Sequence, residues 1–284
     1  MENLNHYLSR IFYKSEIIYN SARGNILKRK ATAYWYNKYQ NFGDLITPWL
    51  LRKYGLIPVH SSYDSSALVA TGSILQGMPE NYSGYIIGSG LIRDTQKKFN
   101  NAKILAVRGK MTKSRINAPS SVVLGDPGLI VSKFLQVRQR KRYVLGLVPH
   151  LYDKLDDRIA NICQKYKKDI LNIDVQRKPM AVIKDIDKCE YILSSSLHGI
   201  VIADSLSIPN GWLFLSQVHS GKNFKFYDYA SAINVKCNPI NLNGEETLSE
   251  LISLASRTIN TDKLKEIQRG LDDSFNCFKN NIIN

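Results

Sequence analysis

Three consecutive serines and a histidine stand where an apolar strand gives way to a helix, in the segment YILSSSLHGIVIADSLSIP (residues 191–209). The hydroxyl groups belong to Ser194, Ser195 and Ser196. The N-terminus of a helix favours phosphate or carboxylate, and Gly199 lets a bound anion approach the backbone closely. His198, the only histidine in such a setting, is a candidate proton donor. The alternative is that the serines cap the helix and the histidine bonds a neighbouring carbonyl.

A second candidate is the turn in NFGDLITPWLL (residues 41–51), which follows the first apolar strand and leads into a helix. Asp44 stands where an N-cap residue is expected, and a simple helix cap is one interpretation. The other is that Asp44 accepts hydrogen bonds from the hydroxyl groups of a substrate.

Arg108 ends the apolar run in AVRGKMT (residues 106–112), directly before a helix. A guanidinium at the end of a strand suits a bidentate grip on carboxylate or phosphate. The alternative is a structural ion pair with Asp126 or Asp94. Asp126 itself belongs to the tight turn LGDPGL (residues 124–129), which is more typical of a site wall than of a reacting group.

The elements that position these residues are short apolar runs that alternate with segments of helical periodicity. This pattern is typical of a doubly wound α/β fold, in which ligands bind beyond the carboxyl ends of the strands. Five runs in the first half are predicted as strands: residues 31–36, 66–71, 85–90, 104–109 and 121–127. Four more are predicted in the second half: residues 143–148, 169–174, 190–195 and 211–214.

The two series of strands predict two Rossmann-like domains that face a cleft. A basic stretch, FLQVRQRKR (residues 134–142), indicates the linker between them. The last helical segment is long enough to pack back across the first domain. The predicted units are a basic N-terminal segment (1–30), a first Rossmann-like domain (31–136), a second one (137–260) and a C-terminal helix (261–284).

The net charge of +15 is carried entirely by the first half of the chain. Residues 1–142 hold 22 Lys and Arg against seven Asp and Glu, whereas residues 143–284 hold 17 of each. This asymmetry favours an anionic partner, either an anionic substrate or a phospholipid surface. No nucleic acid is expected as a partner, because no helix-turn-helix, zinc-finger or RNP pattern accompanies the charge.

Residues 1–30 form a basic amphipathic segment in which apolar residues recur at helical spacing. Two interpretations stay open: a helix packed on the first domain with a solvated basic face, or a helix that binds an anionic membrane surface. The sequence has no run of about 20 apolar residues and no apolar signal segment at its start. We therefore expect a cytoplasmic protein, which the second interpretation would place at the inner face of the cell membrane.

Motifs for metals and nucleotides are absent from the sequence. The four cysteines form no CxxC pair and the five histidines no HxH or HxxxH spacing, so neither a disulfide framework nor a zinc site is indicated. No GxxxxGK[ST], no GxSxG and no GxGxxG after the first strand occurs. Neither a cofactor nor a metal is predicted.

Seven segments follow one another in a characteristic order: NFGDLITPWL, GSIL, GSG, AVRGKMT, LGDPGL, SSSLHGIVIADSLSIP and FKFYDY. Together they resemble the polysaccharide pyruvyl transferase family, over about residues 31–232. The resemblance is to the bacterial exopolysaccharide branch, which carries Ser-Ser-Leu-His-Gly in the late motif. Other branches have Arg before Leu-His, where this chain has Ser196. Arg108, Arg93 or Lys222 is then expected to supply the missing charge.

The resemblance implies a GT-B-like fold and the transfer of pyruvate from phosphoenolpyruvate to two hydroxyl groups of one sugar, which forms a cyclic ketal. The acceptor would be a glycan or a lipid-linked oligosaccharide, and the chemistry requires no metal. Two alternatives stay open: a GT-B glycosyltransferase that uses a sugar nucleotide, and a noncatalytic glycan- or membrane-binding protein.

The same resemblance assigns roles to the candidate residues. His198 is expected to protonate the donor and Asp44 to be the second catalytic residue, while the identity of the base stays open. The expected donor contacts are Arg108, Ser194, Ser195, Ser196, Gly199, Arg93 and Lys222. The expected acceptor contacts are Asn41, Asp44 and Gly90.

Overall fold

The first sheet of the molecule consists of six parallel strands. The computed structural model of the protein describes residues 2–216, 221 and 223–283. The strands are β1 (Lys30–Tyr34), β2 (Ile57–His60), β3 (Leu68–Val69), β4 (Tyr85–Ile87), β5 (Lys103–Val107) and β6 (Val123–Leu124). Their order across the sheet is β2-β1-β3-β4-β5-β6, and every neighbouring pair is parallel.

A second sheet of four parallel strands follows along the chain. Its strands are β7 (Tyr143–Val148), β8 (Ile170–Asn172), β9 (Cys189–Ser194) and β10 (Asn210–Trp212), in the order β10-β9-β7-β8. The last four residues of β7 are all buried, as expected of a parallel strand covered on both faces. Val148 pairs with Ser194, so the carboxyl ends of β7 and β9 lie side by side at the edge where ligands bind.

Helices cover both sheets. They are α1 (Glu2–Ile26), α2 (Ile46–Lys53), α3 (Lys110–Arg115), α4 (Asp157–Lys165), α5 (Pro179–Asp187), α6 (Leu197–Ser205), α7 (Phe224–Ile233), α8 (Leu248–Leu254) and α9 (Thr261–Ile283), with 3-10 helices at Leu75–Gly77 and Pro127–Phe134. Within the described ranges, none of these helices combines the length and the apolar character needed to traverse a bilayer.

The two sheets share one hydrophobic core, and α6 lies at its centre. All nine residues of α6 are buried, so this helix has no solvent-facing side. It packs against the 3-10 helix Pro127–Phe134, where Gly128 lies so close to Val201 that a Cβ would crowd it. A single cluster of contacting apolar residues includes Ala33 of the first sheet and Val148 of the second.

Two helices that follow the second sheet in sequence pack on the first half of the chain, α9 on strands of the first sheet and α7 on helix α3. The ring of Phe275 in α9 stacks on Tyr54 at 5.0 Å, and Phe278 contacts Tyr85 edge-on. Helix α7 packs against α3, where the backbone N–H of Lys110 donates to Ser231 Oγ. The chain therefore crosses back to the first sheet after completing the second.

The predicted α/β class with parallel sheets is confirmed, and each predicted strand coincides with an observed one. Strand β2 and helix α7 were not predicted. Strand β2 contains Pro58, which a sheet tolerates at its edge, where β2 lies. Helix α7 is rich in aromatic residues, which favour strands by propensity. The division of the chain after residue 136 stays a prediction.

Candidate active site

His198 occupies the first turn of α6 and lies against the turn that precedes α2. A Cβ on residue 43 would collide with Nδ1 of His198, so Gly43 provides the space in which the ring lies. Phe42 meets the same ring edge-on, with 6.3 Å between ring centres. The histidine motif and the NFGD motif, which are separate in sequence, therefore form one site.

The three serines build the turn before α6. Ser194 Oγ lies 2.8 Å from the carbonyl oxygens of Val148 and Ser196, and it fills the space beside Gly199 that a Cβ would need. Ser196 is the N-cap residue, but its side chain makes no capping hydrogen bond. In the first turn of α6 the backbone N–H of Gly199 donates to the carbonyl of Ser196 at 3.1 Å, and within the described residues no backbone acceptor is found for the N–H groups of Leu197 and His198.

Ser195 links the turn to a buried carboxylate. Its Oγ donates to Asp153 Oδ2 at 2.6 Å and accepts from the backbone N–H of His150 at 2.9 Å. The other oxygen of Asp153 accepts a hydrogen bond from Ser216. The hydroxyls of Ser194 and Ser195 thus hold the loops of the second sheet in place, and their predicted contact with the donor stays a prediction.

Asp126 faces the histidine from the first half of the chain. Its Oδ1 accepts a hydrogen bond from the backbone N–H of Gly128 and caps the 3-10 helix. Its Oδ2 lies 3.7 Å from Nε2 of His198. Both atoms are buried and have no hydrogen-bond partner among the described residues. Asp126, which the sequence analysis assigned to the wall of the site, therefore lies next to the histidine.

Burial and positive charge keep His198 neutral in the absence of a ligand. Burial lowers its pKa to about 3, and the charges of Lys225 and Arg108 act in the same direction. Burial raises the pKa of Asp126 to about 6, opposed by the N–H of Gly128 and the charge of Arg108. At neutral pH the pair therefore consists mainly of a neutral ring and a carboxylate.

Lys225, at the start of α7, is the cation that the sequence prediction missed. Burial lowers its pKa to about 8; Arg108 adds to this effect, whereas Asp44 and Asp153 oppose it. It lines a small cavity together with Ile92 and Gly221. The only sequence signal for Lys225 was its place within the FKFYDY segment.

Asp44 is half-buried beside Gly72 and makes no hydrogen bond within the described part of the chain. Burial raises its pKa to about 7, against the opposing charge of Lys225. The N-cap interpretation of Asp44 is wrong: Leu45 holds the cap position of α2, because a tight turn over residues 42–45 precedes the helix. The carboxylate is free to act on a ligand.

Arg108 is completely buried, and its guanidinium is bound by protein groups. Nε donates to Asp228 at 3.0 Å, Nη1 to Ser73 Oγ at 2.5 Å, and Nη2 to the carbonyl of Leu91. Asp228 also accepts hydrogen bonds from the N–H and the hydroxyl of Thr112. The group therefore bonds an internal carboxylate, and its charge acts on His198 through space.

The structural ion pair foreseen for Arg108 exists, but with a different carboxylate. Asp94 pairs with Arg115, and Asp126 feels Arg108 only through its charge. The actual partner, Asp228, is 120 residues away in sequence, so no local pattern indicated it.

The remaining predicted residues lie around this centre in different ways. Gly90 packs directly against the guanidinium of Arg108, which leaves no room for a Cβ. Asn41 Oδ1 accepts from the backbone N–H of Gly43 and shapes the turn. Arg93 is exposed, close to the loop that contains Gly221. Lys222 lies outside the described residues.

The site brings groups that exchange protons together with positive charge. It combines a neutral histidine at a helix start, two carboxylates with raised pKa values and two cations. Among the residues that the structure describes, no three His, Cys, Asp or Glu side chains are grouped so as to hold a metal ion.

The fold and the site define an α/β protein with two parallel sheets and a histidine–carboxylate centre between them. The profile of the polysaccharide pyruvyl transferase family matches residues 1–213, and the chain belongs to this family. The family resemblance seen in the sequence motifs is thereby confirmed.

Two relatives extend this comparison. The succinoglycan biosynthesis protein ExoV of Rhizobium meliloti (strain 1021) is 28% identical over 212 residues, which are 72% of this chain and 66% of that protein. An uncharacterized protein of Acanthamoeba polyphaga mimivirus is 33% identical over 166 residues, 55% of this chain and 57% of that protein. The chain thus spans just under two thirds of the first relative and less of the second.

The buried ion pair predicts a large effect of Arg108 on stability. Arg108→Met leaves Asp228 as an uncompensated buried charge and is expected to lower the free energy of unfolding by about 3–5 kcal/mol. Arg93→Met, at an exposed position, is the matched control and should change it by less than about 0.5 kcal/mol. Urea unfolding measures both. Equal stability of the two variants would contradict the structural role of Arg108.

The lowered pKa of His198 predicts how acid affects stability. The unfolded chain binds a proton at this histidine near pH 6.5 and the folded chain only near pH 3, so the histidine destabilises the fold as the pH falls between these values. His198→Gln removes this effect. Between pH 7.5 and pH 5 its stability relative to the wild type should improve by about 2 kcal/mol. An unchanged difference in urea unfolding at both pH values would show that the folded protein protonates His198 normally.

Proposed function

We propose that this protein transfers pyruvate from phosphoenolpyruvate to two hydroxyl groups of one sugar in a polysaccharide or lipid-linked oligosaccharide precursor. The products are a cyclic pyruvate ketal and phosphate. The observation that carries the proposal is His198 at the start of a wholly buried helix, held neutral by its burial and, in addition, by two cations. Membership of the polysaccharide pyruvyl transferase family supports the same chemistry.

Lys225 is proposed as the main cation for the donor. It makes no ion pair among the described residues, lines a cavity and is electrostatically coupled to His198 and Asp44. Phosphoenolpyruvate carries a phosphate and a carboxylate, which such a cation and the start of α6 would bind. In this chain Ser196 stands where other branches have arginine, and Lys225 supplies the charge from a different element.

Donor binding is proposed to charge the histidine. Burial lowers the pKa of His198 and the two cations lower it further. A bound anion next to the ring offsets the cations and stabilises the imidazolium, so the ring takes up a proton in the complex. The imidazolium then gives this proton to the methylene carbon, whose double-bond electrons form the new C–H bond. The adjacent carbon becomes oxocarbenium-like and accepts the first sugar hydroxyl. The second hydroxyl displaces phosphate and closes the ketal.

Asp44 is proposed as the base for the attacking hydroxyl. Its raised pKa, near 7, lets it accept a proton at neutral pH, and no hydrogen bond within the described ranges occupies it. One hydroxyl proton replaces the proton that the histidine gave up, and the other leaves with the phosphate. The proposed chemistry calls for no metal.

The finer fold assignment also belongs to this proposal. Two parallel sheets with the site at the carboxyl ends of β7 and β9 agree with a GT-B-like arrangement. A glycosyltransferase of the same fold would use a sugar nucleotide instead, and a glycan-binding protein would turn over neither donor.

The deciding experiment measures phosphate release from phosphoenolpyruvate with a panel of galactosides, glucosides and mannosides, and identifies the ketal by mass spectrometry. We expect release that depends on the acceptor. His198→Gln should retain donor binding and lower kcat by about 10²-fold or more, because the proton donor is lost. His60→Gln, which changes a histidine on the edge strand β2, is the control. Wild-type kcat with only a raised KM would reduce His198 to a binding residue.

The lysine is tested in the same assay. Lys225→Met should raise the KM for phosphoenolpyruvate, whereas Lys236→Met, an exposed lysine beyond the end of α7, should leave it unchanged. Protection of the protein by a sugar nucleotide, with no phosphate released from phosphoenolpyruvate, would favour the glycosyltransferase.

We further propose that α1 attaches the protein to an anionic membrane surface at the inner face of the cell membrane. One side of α1 packs on β1 and β2, as the packed-helix interpretation predicted. The opposite side exposes apolar residues: Ile18 is 70% exposed and Ile26 is 80% exposed. Arg23, which lies between Ile18 and Ile26 in the sequence, is exposed as well. An apolar stripe flanked by basic residues suits an anionic bilayer.

Flotation with phosphatidylglycerol vesicles tests this attachment. The wild type should float with the vesicles, and the double variant Ile18→Glu, Ile26→Glu should not. Leu155→Glu, at a position that is 90% exposed on the second half, is the matched control and should float like the wild type. A wild-type protein that stays unbound at low salt would leave α1 as a packed helix only.

A further inference from the structure

Two buried polar atoms face each other without a hydrogen bond. They are Oδ2 of Asp126 and Nε2 of His198, 3.7 Å apart. Buried polar atoms are nearly always hydrogen-bonded, so two such atoms that face each other without a hydrogen bond require an explanation. The other oxygen of Asp126 is already used by the N–H of Gly128. Only Oδ2 is therefore left to interact with the ring.

The carboxylate determines where the ring carries its proton. An ionised carboxylate only accepts hydrogen bonds, so it favours the tautomer with the proton on Nε2. Nδ1 lies at the other edge of the ring, beside Gly43 and the turn that carries Asp44. The structure thus separates an inner nitrogen, closed off from solvent, from an outer nitrogen near the proposed base.

We infer that Asp126 is the positioning residue of His198. It keeps the proton on Nε2 and closes onto the ring when the ring becomes imidazolium, which leaves Nδ1 to pass its proton to the donor. After the transfer the histidine is neutral again with the Nε2 proton retained, and a sugar hydroxyl supplies the next proton. This inference rests on the proposed role of His198 as the acid.

Among the described residues, the carboxylate paired with the ring is Asp126, whose charge stabilises an imidazolium. Lys225 from α7 and Arg108 from the end of β5 both disfavour imidazolium. Phe42 and Gly43, from the turn before α2, contribute a ring edge and backbone. A gap of 3.7 Å is within range for a charge pair, and catalytic hydrogen bonds often tighten only in the complex.

Asp126→Asn separates this role from helix capping. Asparagine keeps an oxygen for the N–H of Gly128, but places an amide N–H opposite Nε2. The wrong tautomer, with the proton on Nδ1, is then favoured. A carboxylate that orients a catalytic histidine acts in this way in hydrolase triads.

The experiment is long-range ¹H–¹⁵N NMR of histidine-labelled protein, without and with phosphoenolpyruvate. We expect the Nε2–H tautomer in the wild type and in Asp187→Asn, which removes a buried carboxylate remote from the site, and the Nδ1–H tautomer in Asp126→Asn. With donor bound, protonation of His198 should require at least tenfold more acid in Asp126→Asn. In the phosphate-release assay kcat should fall about 10²-fold, with partial recovery in Asp126→Glu.

An unchanged tautomer in Asp126→Asn overturns the inference whatever the activity. A changed tautomer in a protein whose wild type releases no phosphate from phosphoenolpyruvate would uphold the pairing and overturn the proposed function. If Asp126→Asn fails to fold, Asp126→Glu decides: a wild-type tautomer with lowered protonation supports the pairing, and an Nδ1–H tautomer refutes it.

Discussion

The complete burial of α6 is the constraint on which the rest of this structure depends. A helix with no exposed side must be covered from every direction, so the second sheet, the 3-10 helix after β6 and the turn before α2 all pack on it. Burial also determines the chemistry. The same packing that stabilises the fold removes water from His198 and makes its charged form costly without a ligand.

A site of this kind is built from groups whose pKa values move in opposite directions. Burial raises the pKa of Asp44 and Asp126 and lowers that of Lys225, so the proton affinities of these three groups converge, whereas burial lowers the pKa of His198 to about 3, below all of them. Proton transfer between groups of similar proton affinity costs little free energy. The cluster is thereby prepared for a ligand that brings negative charge.

The sequence predicted what is local and missed what is distant. The strands and α6 follow from apolar runs bounded by Gly and Ser, and His198 follows from its place at a strand-to-helix turn. The pair of Arg108 and Asp228 could not be predicted, because its partners are 120 residues apart and meet only when α7 packs on α3. Lys225 was missed for the same reason, since its importance comes from that packing and not from its neighbours in sequence.

The return of α7 and α9 to the first sheet affects the order in which the chain matures. During synthesis β1 to β6 emerge first. Tyr54, Tyr85 and Arg108 of this first half gain their partners only when residues beyond 220 have been made. Until then the first sheet exposes apolar surface and Arg108 lacks its carboxylate partner, a state in which nascent chains are prone to associate. Completion of the cluster around His198 is thus coupled to the arrival of the last quarter of the chain, and a ribosome-bound fragment holds His198 before it holds Lys225, which lowers the pKa of that histidine.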